Sequence, residues 1–283
     1  MMTTGLRGRG RQVAAIAAVI VAVVLFYWPT LRWMVNSWLS SDYYSHGFLV
    51  PCISAFFIWT KREQLKNRVP ALAGYIVLIA ALALYLCGLL LEIRVLGALS
   101  LVVLIMGVVL TIWGIMAAKA LAFPLLFLLF MVPFGFIQDL AANLQYTSVQ
   151  WASWVDKTLG LPITTSGTEI HIKDMTFTVG IVCSGINTLE ALLALAAVYA
   201  YILKGAMPKR LGLFVLAFPI AIGANILRIA SIIVVAFFTN VEIAAGWYHD
   251  LSSPLFFFFA FMILILIGRV MRLRINYEVL CSK

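Results

Sequence analysis

The sequence predicts an all-α integral membrane protein, a polytopic bundle of about eight transmembrane helices. Of its 283 residues, 64% are hydrophobic and only 11% are charged, whereas soluble domains carry about 25% charged residues. Apolar runs that are long enough to enter a membrane also follow one another along most of the chain. Because a soluble protein of this composition could not cover its surface with polar groups, we expect residues 1–283 to form a single transmembrane domain.

Eight apolar runs, separated by short polar connections, define the predicted spans. The first run follows Arg7, Arg9 and Arg11, as in a signal peptide, but it lacks an A-x-A cleavage site, so we expect an uncleaved helix. The sixth run contains Glu190 and the seventh contains Arg228. The predicted spans lie near 12–29, 47–60, 71–91, 95–117, 120–137, 184–203, 211–238 and 254–270.

The net charge of +9 comes from basic residues in short clusters between the apolar runs. Such clusters set membrane topology, so we expect membrane lipids and no nucleic acid as partners. With the N-terminus in the cytoplasm, fifteen Lys and Arg residues fall in cytoplasmic segments, four fall outside, and Arg228 lies within a span. This bias predicts a multi-pass protein of the cell (inner) membrane with both termini cytoplasmic and the connection 138–182 on the extracytoplasmic, periplasmic side.

The long connection 138–182 carries two local patterns. Residues 140–159 are partly amphipathic and include Tyr146, Trp151 and Trp154, which is typical of a helix lying in the membrane interface. Residues 163–182 are rich in Thr, Ile, Val and Gly, and they alternate in polarity as in a short hairpin. We therefore expect a small extracytoplasmic amphipathic helix followed by a short hairpin.

Cys183 lies where this connection enters the sixth predicted span. The chain has four cysteines without a CxxC pair or a metal-ligand spacing, so we expect no disulfide framework, metal or cofactor. The positive end of the helix dipole should lower the pKa of a thiol at this position, as in a reactive cysteine, and Ser184 and Gly185 leave backbone N–H groups accessible beside it. The alternative is that Cys183 is a small apolar residue buried beside the helix.

Arg228 and His249 are the other two candidates for chemistry. A charge within a span costs at least roughly 2.5–3.5 kcal/mol, so Arg228 either forms a structural ion pair, with Glu190 as the candidate partner, or has a function. His249 precedes the eighth span on the outer side, where an ordinary surface histidine is the alternative. Together with Cys183 they would form a cysteine acyl-transfer site, in which Arg228 stabilises the thiolate or the oxyanion and His249 transfers protons.

Supporting polar residues are predicted on the same two spans. Ser184 follows the cysteine directly, and Asn187 and Glu190 share a helix face with Cys183 at spacings i+4 and i+7. Asn225 shares a face of the seventh span with Arg228 at a spacing of three. We expect a polar seam between spans six and seven, with Glu190 at the bottom, Arg228 in the middle and Cys183 at the top.

The chain resembles the exosortase/archaeosortase family of membrane transpeptidases over nearly its whole length. The resemblance is clearest in residues 42–51, 124–133, 180–185, 225–228 and His249. It implies that Cys183, Arg228 and His249 are the catalytic residues. The chain departs from the family pattern after the histidine, where residues 251–254 read Leu-Ser-Ser-Pro in place of an expected nearby glycine.

The resemblance also implies a substrate class. The substrates would be exported proteins that end in a short motif of the Pro-Glu-Pro type, one membrane helix and a basic end. A cysteine protease/transpeptidase of this kind would remove the tail and pass the protein to an acceptor, for which a lipid or a glycan is a candidate.

Two other functions fit the same residues. A transporter or channel would use Arg228 and Glu190 to line a substrate pathway, and it would form no covalent intermediate. A thiol redox enzyme agrees less well with the sequence, because Cys183 has no resolving cysteine near it at the outer face.

Overall fold

The structure is a computed structural model that describes residues 21–65, 69–172 and 175–280. The chain forms two compact units. The N-terminal unit consists of Met1–Ile58 with Arg62–Pro133, and the C-terminal unit consists of Trp59–Lys61 with Phe134–Lys283. The predicted span near 12–29 lies largely outside the described residues.

The N-terminal unit is helical wherever the structure describes regular elements in it. Its longest helices, α3 and α4, pack side by side, and Gly74 of α3 lies directly against the backbone of Thr111 in α4, where a side chain would overlap it. The helices are α1 (Trp28–Ser40), α2 (Leu49–Thr60), α3 (Ala73–Leu90), α4 (Arg94–Ala120) and α5 (Ala122–Phe127), with 3-10 turns at Asp42–Phe48, Arg62–Leu65 and Leu128–Met131.

The C-terminal unit is arranged around one central helix, α8, against which α6, α7 and α10 pack. Pro208 lies in the first turn of α8, where its fixed φ suits a helix start. The elements in order are α6 (Phe136–Thr158), β1 (Ile163–Ser166), β2 (Glu169–Ile172), β3 (Met175–Thr178), a 3-10 turn (Ile181–Ser184), α7 (Ile186–Ile202), β4 (Leu203–Lys204), α8 (Met207–Phe238), α9 (Val241–Ile243), a π-helical turn (Ala244–Tyr248), α10 (His249–Val270), β5 (Arg274–Ile275) and α11 (Tyr277–Leu280).

The connection between α6 and α7 contains a three-stranded antiparallel sheet in the order β1-β2-β3, where the sequence predicted a short hairpin. In this sheet Ile163 pairs with Ile172, and Ile170 pairs with Phe177. Ile170 and Ile172 are fully buried because alternate residues of a strand face the same side. They join residues of α6 and α8 in one apolar cluster, and Cys183 lies within that cluster. The sheet therefore fixes the segment that leads to the cysteine.

The predicted amphipathic helix at 140–159 is observed as part of α6. Trp151 and Trp154 are exposed on one side of it, whereas Val149 and Ala152 are fully buried on the other. Its place in the membrane interface stays a prediction.

The prediction of eight spans is not confirmed. In the described ranges, four helical stretches are long and apolar enough to cross a membrane: Ala73–Leu90, Arg94–Ala120, Met207–Phe238 and Val241–Val270. A fifth is obtained if Ala122–Met131 and Phe136–Thr158, which are bent by 73°, count as one broken span. The predicted spans at 47–60 and 184–203 are represented by helices of 12 and 17 residues, which reach only about 18 and 26 Å of the roughly 30 Å hydrocarbon core.

Candidate active site

Cys183 lies in the 3-10 turn Ile181–Ser184, between the sheet and α7. The next residue, Gly185, has a φ of +81°, and a side chain there would overlap the amide of Asn225. Only glycine adopts this conformation readily and leaves that space, so Asn225 of α8 can approach the turn. Its Nδ2 atom donates to the Cys183 carbonyl at 3.1 Å and to the Ser148 hydroxyl at 3.2 Å. The backbone of the cysteine is therefore held by a buried amide.

His249 is the first residue of α10 and follows the π-helical turn Ala244–Tyr248. Turns of this type often occur at functional sites, because they change the direction of the residues that follow. The Nε2 atom of His249 lies 3.1 Å from the Sγ atom of Cys183, and Nδ1 lies 3.3 Å from Oδ1 of Asp250. The Ser252 hydroxyl donates to the His249 carbonyl at 2.9 Å. The imidazole therefore bridges the thiol and an exposed carboxylate.

Arg228 is a nearly buried cation of α8, with 5% of its surface exposed. Its Nη1 atom donates to the Ser253 hydroxyl at 3.1 Å. Its Nε and Nη2 atoms are buried and have no hydrogen-bond partner among the described residues. Buried donors without partners are costly, and in native structures they call for an explanation. The charge of the guanidinium acts on the Cys183 thiol, so the two groups are neighbours in the site.

The pKa of the Cys183 thiol is raised, which contradicts the sequence prediction of a lowered value. Burial disfavours the thiolate and is the largest effect, while the positive charge of Arg228 acts in the opposite direction. The prediction assumed that the cysteine caps the helix, but α7 begins at Ile186, beyond the left-handed Gly185. The neutral thiol is therefore the resting form, and Nε2 of His249 is in position to accept its proton.

The thiol and the imidazole open into a cavity of about 280 Å³. Most of its wall is apolar and comes from the end of the sheet, from α8 and from the segment between α8 and α10. Apart from Cys183 and His249, the lining residues are Thr178, Val179, Gly180, Ile229, Ile232, Ala236, Val241, Ala244 and Ala245. Such a cavity suits a small apolar or extended peptide segment, because most of its surface makes no specific polar contact.

The predicted supporting residues have different surroundings. Asn225 contacts the Cys183 backbone, as described above. The Ser184 hydroxyl accepts from the Ile186 N–H at 3.4 Å, so it supports the start of α7. Asn187 is half-buried, and its Oδ1 atom has no hydrogen-bond partner in the part of the chain that the structure describes.

Glu190 lies on a different level of the bundle from Arg228. Gly185 of the preceding turn is beside Asn225, and Glu190 is five residues further along α7. Arg228 is three residues beyond Asn225 on α8, which runs in the opposite direction. At 1.5 Å per residue, these eight residues separate the two levels by about 12 Å. A direct ion pair would have to bridge that distance, whereas the recorded side-chain hydrogen bond of Arg228 is to Ser253.

Sequence reasoning assigned no role to four side chains around the site: Ser148, Asp250, Ser252 and Ser253. Asp250 is adjacent to His249 in the sequence, which was an available signal. Ser148 lies on a different helix, and its spacing gave no indication of its contact with Asn225. Within the described ranges, no group of three His, Cys, Asp or Glu side chains could hold a metal ion.

The fold and this site define a class: a multi-pass helical membrane protein in which a thiol, an imidazole and a buried guanidinium from separate elements meet beside the central helix. The sequence model of the transmembrane exosortase family matches residues 38–266. The chain therefore belongs to the transmembrane exosortase family, which comprises membrane transpeptidases with a sorting role. No curated protein and no solved structure matches the chain significantly.

Proposed function

We propose that this protein is a cysteine endopeptidase and transpeptidase that removes a C-terminal sorting tail from exported proteins and transfers them to an acceptor. The observation that carries the proposal is the 3.1 Å contact between Sγ of Cys183 and Nε2 of His249 at the wall of a cavity, with the positive charge of Arg228 acting on the same thiol. A nucleophile within hydrogen-bond distance of a base that is itself oriented by a third group is the usual arrangement for covalent catalysis.

The first half-reaction forms an acyl-enzyme. The Cys183 sulfur attacks the scissile carbonyl carbon while its proton moves to Nε2 of His249, so a neutral resting thiol is sufficient. The carbonyl oxygen becomes an oxyanion, which the positive charge of the Arg228 guanidinium beside Cys183 stabilises. The C–N bond then breaks, His249 returns the proton to the leaving amine, and the substrate remains bound as a thioester.

The second half-reaction releases the product. An amine, hydroxyl or water attacks the thioester carbonyl, His249 accepts the proton of the attacking group, and the Cys183 sulfur leaves and is reprotonated. The Asp250 carboxylate supports both halves, because a proton on Nδ1 directed toward it leaves Nε2 free to accept. A lipid- or glycan-linked acceptor gives transfer, and water gives hydrolysis.

We infer the substrate class from the family, and the small apolar cavity supports it. A tail with a short motif of the Pro-Glu-Pro type, a membrane helix and a basic end would place its helix beside the helices of the enzyme and its motif at Cys183. In this proposal the site faces the periplasmic side of the cell (inner) membrane, and both termini face the cytoplasm.

The test is co-expression with an exported protein that carries such a tail. We expect wild-type enzyme to remove the tail, and Cys183→Ala to abolish removal while the protein still inserts, because a methyl group replaces a small side chain. The matched controls Cys52→Ala and Cys87→Ala change exposed cysteines and should retain activity.

A thioester between the substrate and Cys183, detected by its sensitivity to hydroxylamine and located by mass spectrometry, would support the acyl-enzyme directly. Normal processing by Cys183→Ala would refute it. Substrate-dependent flux without any tail loss would instead favour a transporter or channel.

A further inference from the structure

A second cavity, of about 850 Å³, lies within the N-terminal unit. It is formed by α1, by the end of α3 and by the start of α4. The residues of its wall that matter here are Trp28, Arg32, Asn36, Leu89, Glu92 and Arg94. None of these residues takes part in the site described above.

The walls of this cavity are held in place by contacts from the segment that leads into α1. The Tyr85 hydroxyl of α3 donates to the Phe26 carbonyl at 2.8 Å. The Tyr27 hydroxyl lies 3.1 Å from the Ser100 hydroxyl of α4, and both residues are buried. The cavity is therefore part of the packed structure.

The position of the cavity relative to the membrane follows from its helices. Both α3 and α4 are long and apolar enough to cross a membrane, and only three residues separate Leu90 from Arg94. A short turn between two spanning helices must lie at a membrane surface. The cavity next to this turn therefore opens at the level of the lipid headgroups.

The charge of the cavity favours an anion. Arg32 and Arg94 are both exposed to it, and neither forms an ion pair with another described residue. Glu92 is the one acidic residue of the wall, so the formal charge of the wall is +1. The positive end of the 27-residue helix α4 also lies here, without a side-chain cap or an acidic residue in its first turn. Asn36 adds an amide that can donate.

The rim of the cavity is apolar. Trp28, Leu89 and Ile93 are 57%, 56% and 46% exposed. A soluble anion would gain nothing from these side chains, whereas an acyl chain would cover them. We propose that this cavity binds the phosphate headgroup of an anionic membrane lipid, with Arg32 and Arg94 on the phosphate and the acyl chains against the apolar rim. This site is independent of the proposed transpeptidase activity.

The experiment uses the purified, delipidated full chain in detergent and measures binding of phosphatidylglycerol by native mass spectrometry. Arg32→Gln and Arg94→Gln should each weaken binding about tenfold, as expected for a lost hydrogen bond between charged groups. Arg94→Lys should bind better than Arg94→Gln, because it keeps the charge but loses the guanidinium fork. Arg272→Gln changes an exposed arginine of the C-terminal unit and should bind like wild type.

Two further ligands distinguish a lipid headgroup from a soluble phosphate as the bound group. Glycerol 1-phosphate at the same concentration should not displace the lipid, and phosphatidylcholine should bind more weakly because its headgroup carries no net charge. The proposal is overturned if the Arg32 and Arg94 variants bind the lipid like wild type, or if Arg272→Gln loses as much binding as they do. It is also overturned if glycerol 1-phosphate displaces the lipid, because the cavity would then be a site for soluble anions. Melting curves of each variant show whether it is folded. If a glutamine variant does not fold, Arg94→Lys still tests the site.

Discussion

The arginines of the two candidate sites differ in how far they are exposed. In the cavity near the α3–α4 turn, Arg32 and Arg94 are exposed, so water screens their charge until a ligand replaces it. Arg228 is nearly buried next to Cys183, where two of its nitrogens have no described partner. The exposed pair suits reversible binding of an anion, whereas the buried guanidinium is already desolvated and can act on charge that develops during a reaction. Under the two proposals, burial, more than residue type, distinguishes the roles of these arginines.

The largest effect that tests this contrast is expected at Arg228. Arg228→Ala should reduce tail removal about 10²- to 10³-fold, the usual loss for a donor to an oxyanion. Arg228→Lys should be nearly as damaging, because an ammonium has no planar fork and a different reach. Initial rates of tail removal, with enzyme levels matched by immunoblot, measure both. Full activity of the lysine variant would mean that positive charge alone is sufficient.

A second prediction concerns the buried amide that supports the site. Gly185→Ala places a side chain against Asn225 at a φ of +81°, and it should lower the stability of the folded protein by about 1–3 kcal/mol. Gly223→Ala is the matched control, since a side chain there meets no atom within 4 Å and alanine favours a helix. Thermal melting in detergent compares the two. Equal melting temperatures would contradict the proposed packing of Gly185 on Asn225.

A third prediction uses pH. Only the thiolate reacts with iodoacetamide, and burial raises the pKa of Cys183, so its labelling should rise with pH through a midpoint above that of an ordinary cysteine. Arg228→Gln removes the charge that lowers this pKa, so the midpoint should move higher and the labelling rate at pH 8 should fall about two- to tenfold. Peptide-level mass spectrometry measures the rate at Cys183. A midpoint that moves lower would show that Arg228 does not stabilise the thiolate.

The smallest effect is expected at Ser253, which accepts one hydrogen bond from Arg228. Ser253→Ala should slow tail removal about two- to fivefold, because one contact is lost and the guanidinium stays in place. Ser40→Ala, at the end of α1 in the N-terminal unit, should leave the rate unchanged and serves as the control. A loss as large as that of Arg228→Ala would give Ser253 a direct part in the chemistry.

The sequence was sufficient for the fold class and for three residues that the structure brings together, Cys183, Arg228 and His249. Long apolar runs predict α3, α4 and α8, since their composition alone excludes an aqueous surface. The number of spans was not predictable in the same way, because the short helix α2 is as apolar as the span-length helices and the bent pair α5–α6 also contains a span-length apolar stretch. Whether a run crosses the membrane depends on helix length and on breaks such as the one before α6.

Within the site, the local geometry could not be predicted from the sequence. Helical periodicity placed Asn225 and Arg228 on one face, but it could not show that Asn225 packs against Gly185. The pKa of Cys183 was predicted in the wrong direction because burial depends on the whole fold. The contribution of Glu190 stays a prediction: Glu190→Gln should reduce turnover less than Cys183→Ala does.

The direction of the His249 side chain depends on how many residues the π-helical turn before it contains. A π turn holds one residue more than an α-helical turn of the same rise. Removing one residue between Ala244 and Tyr248 would rotate His249 by about 100° relative to the preceding turn. The imidazole would no longer face Cys183, although every side chain of the site would still be present. The number of residues in this turn, as much as their identity, therefore directs the histidine, and a single-codon deletion here would remove the contact without altering any of the three residues.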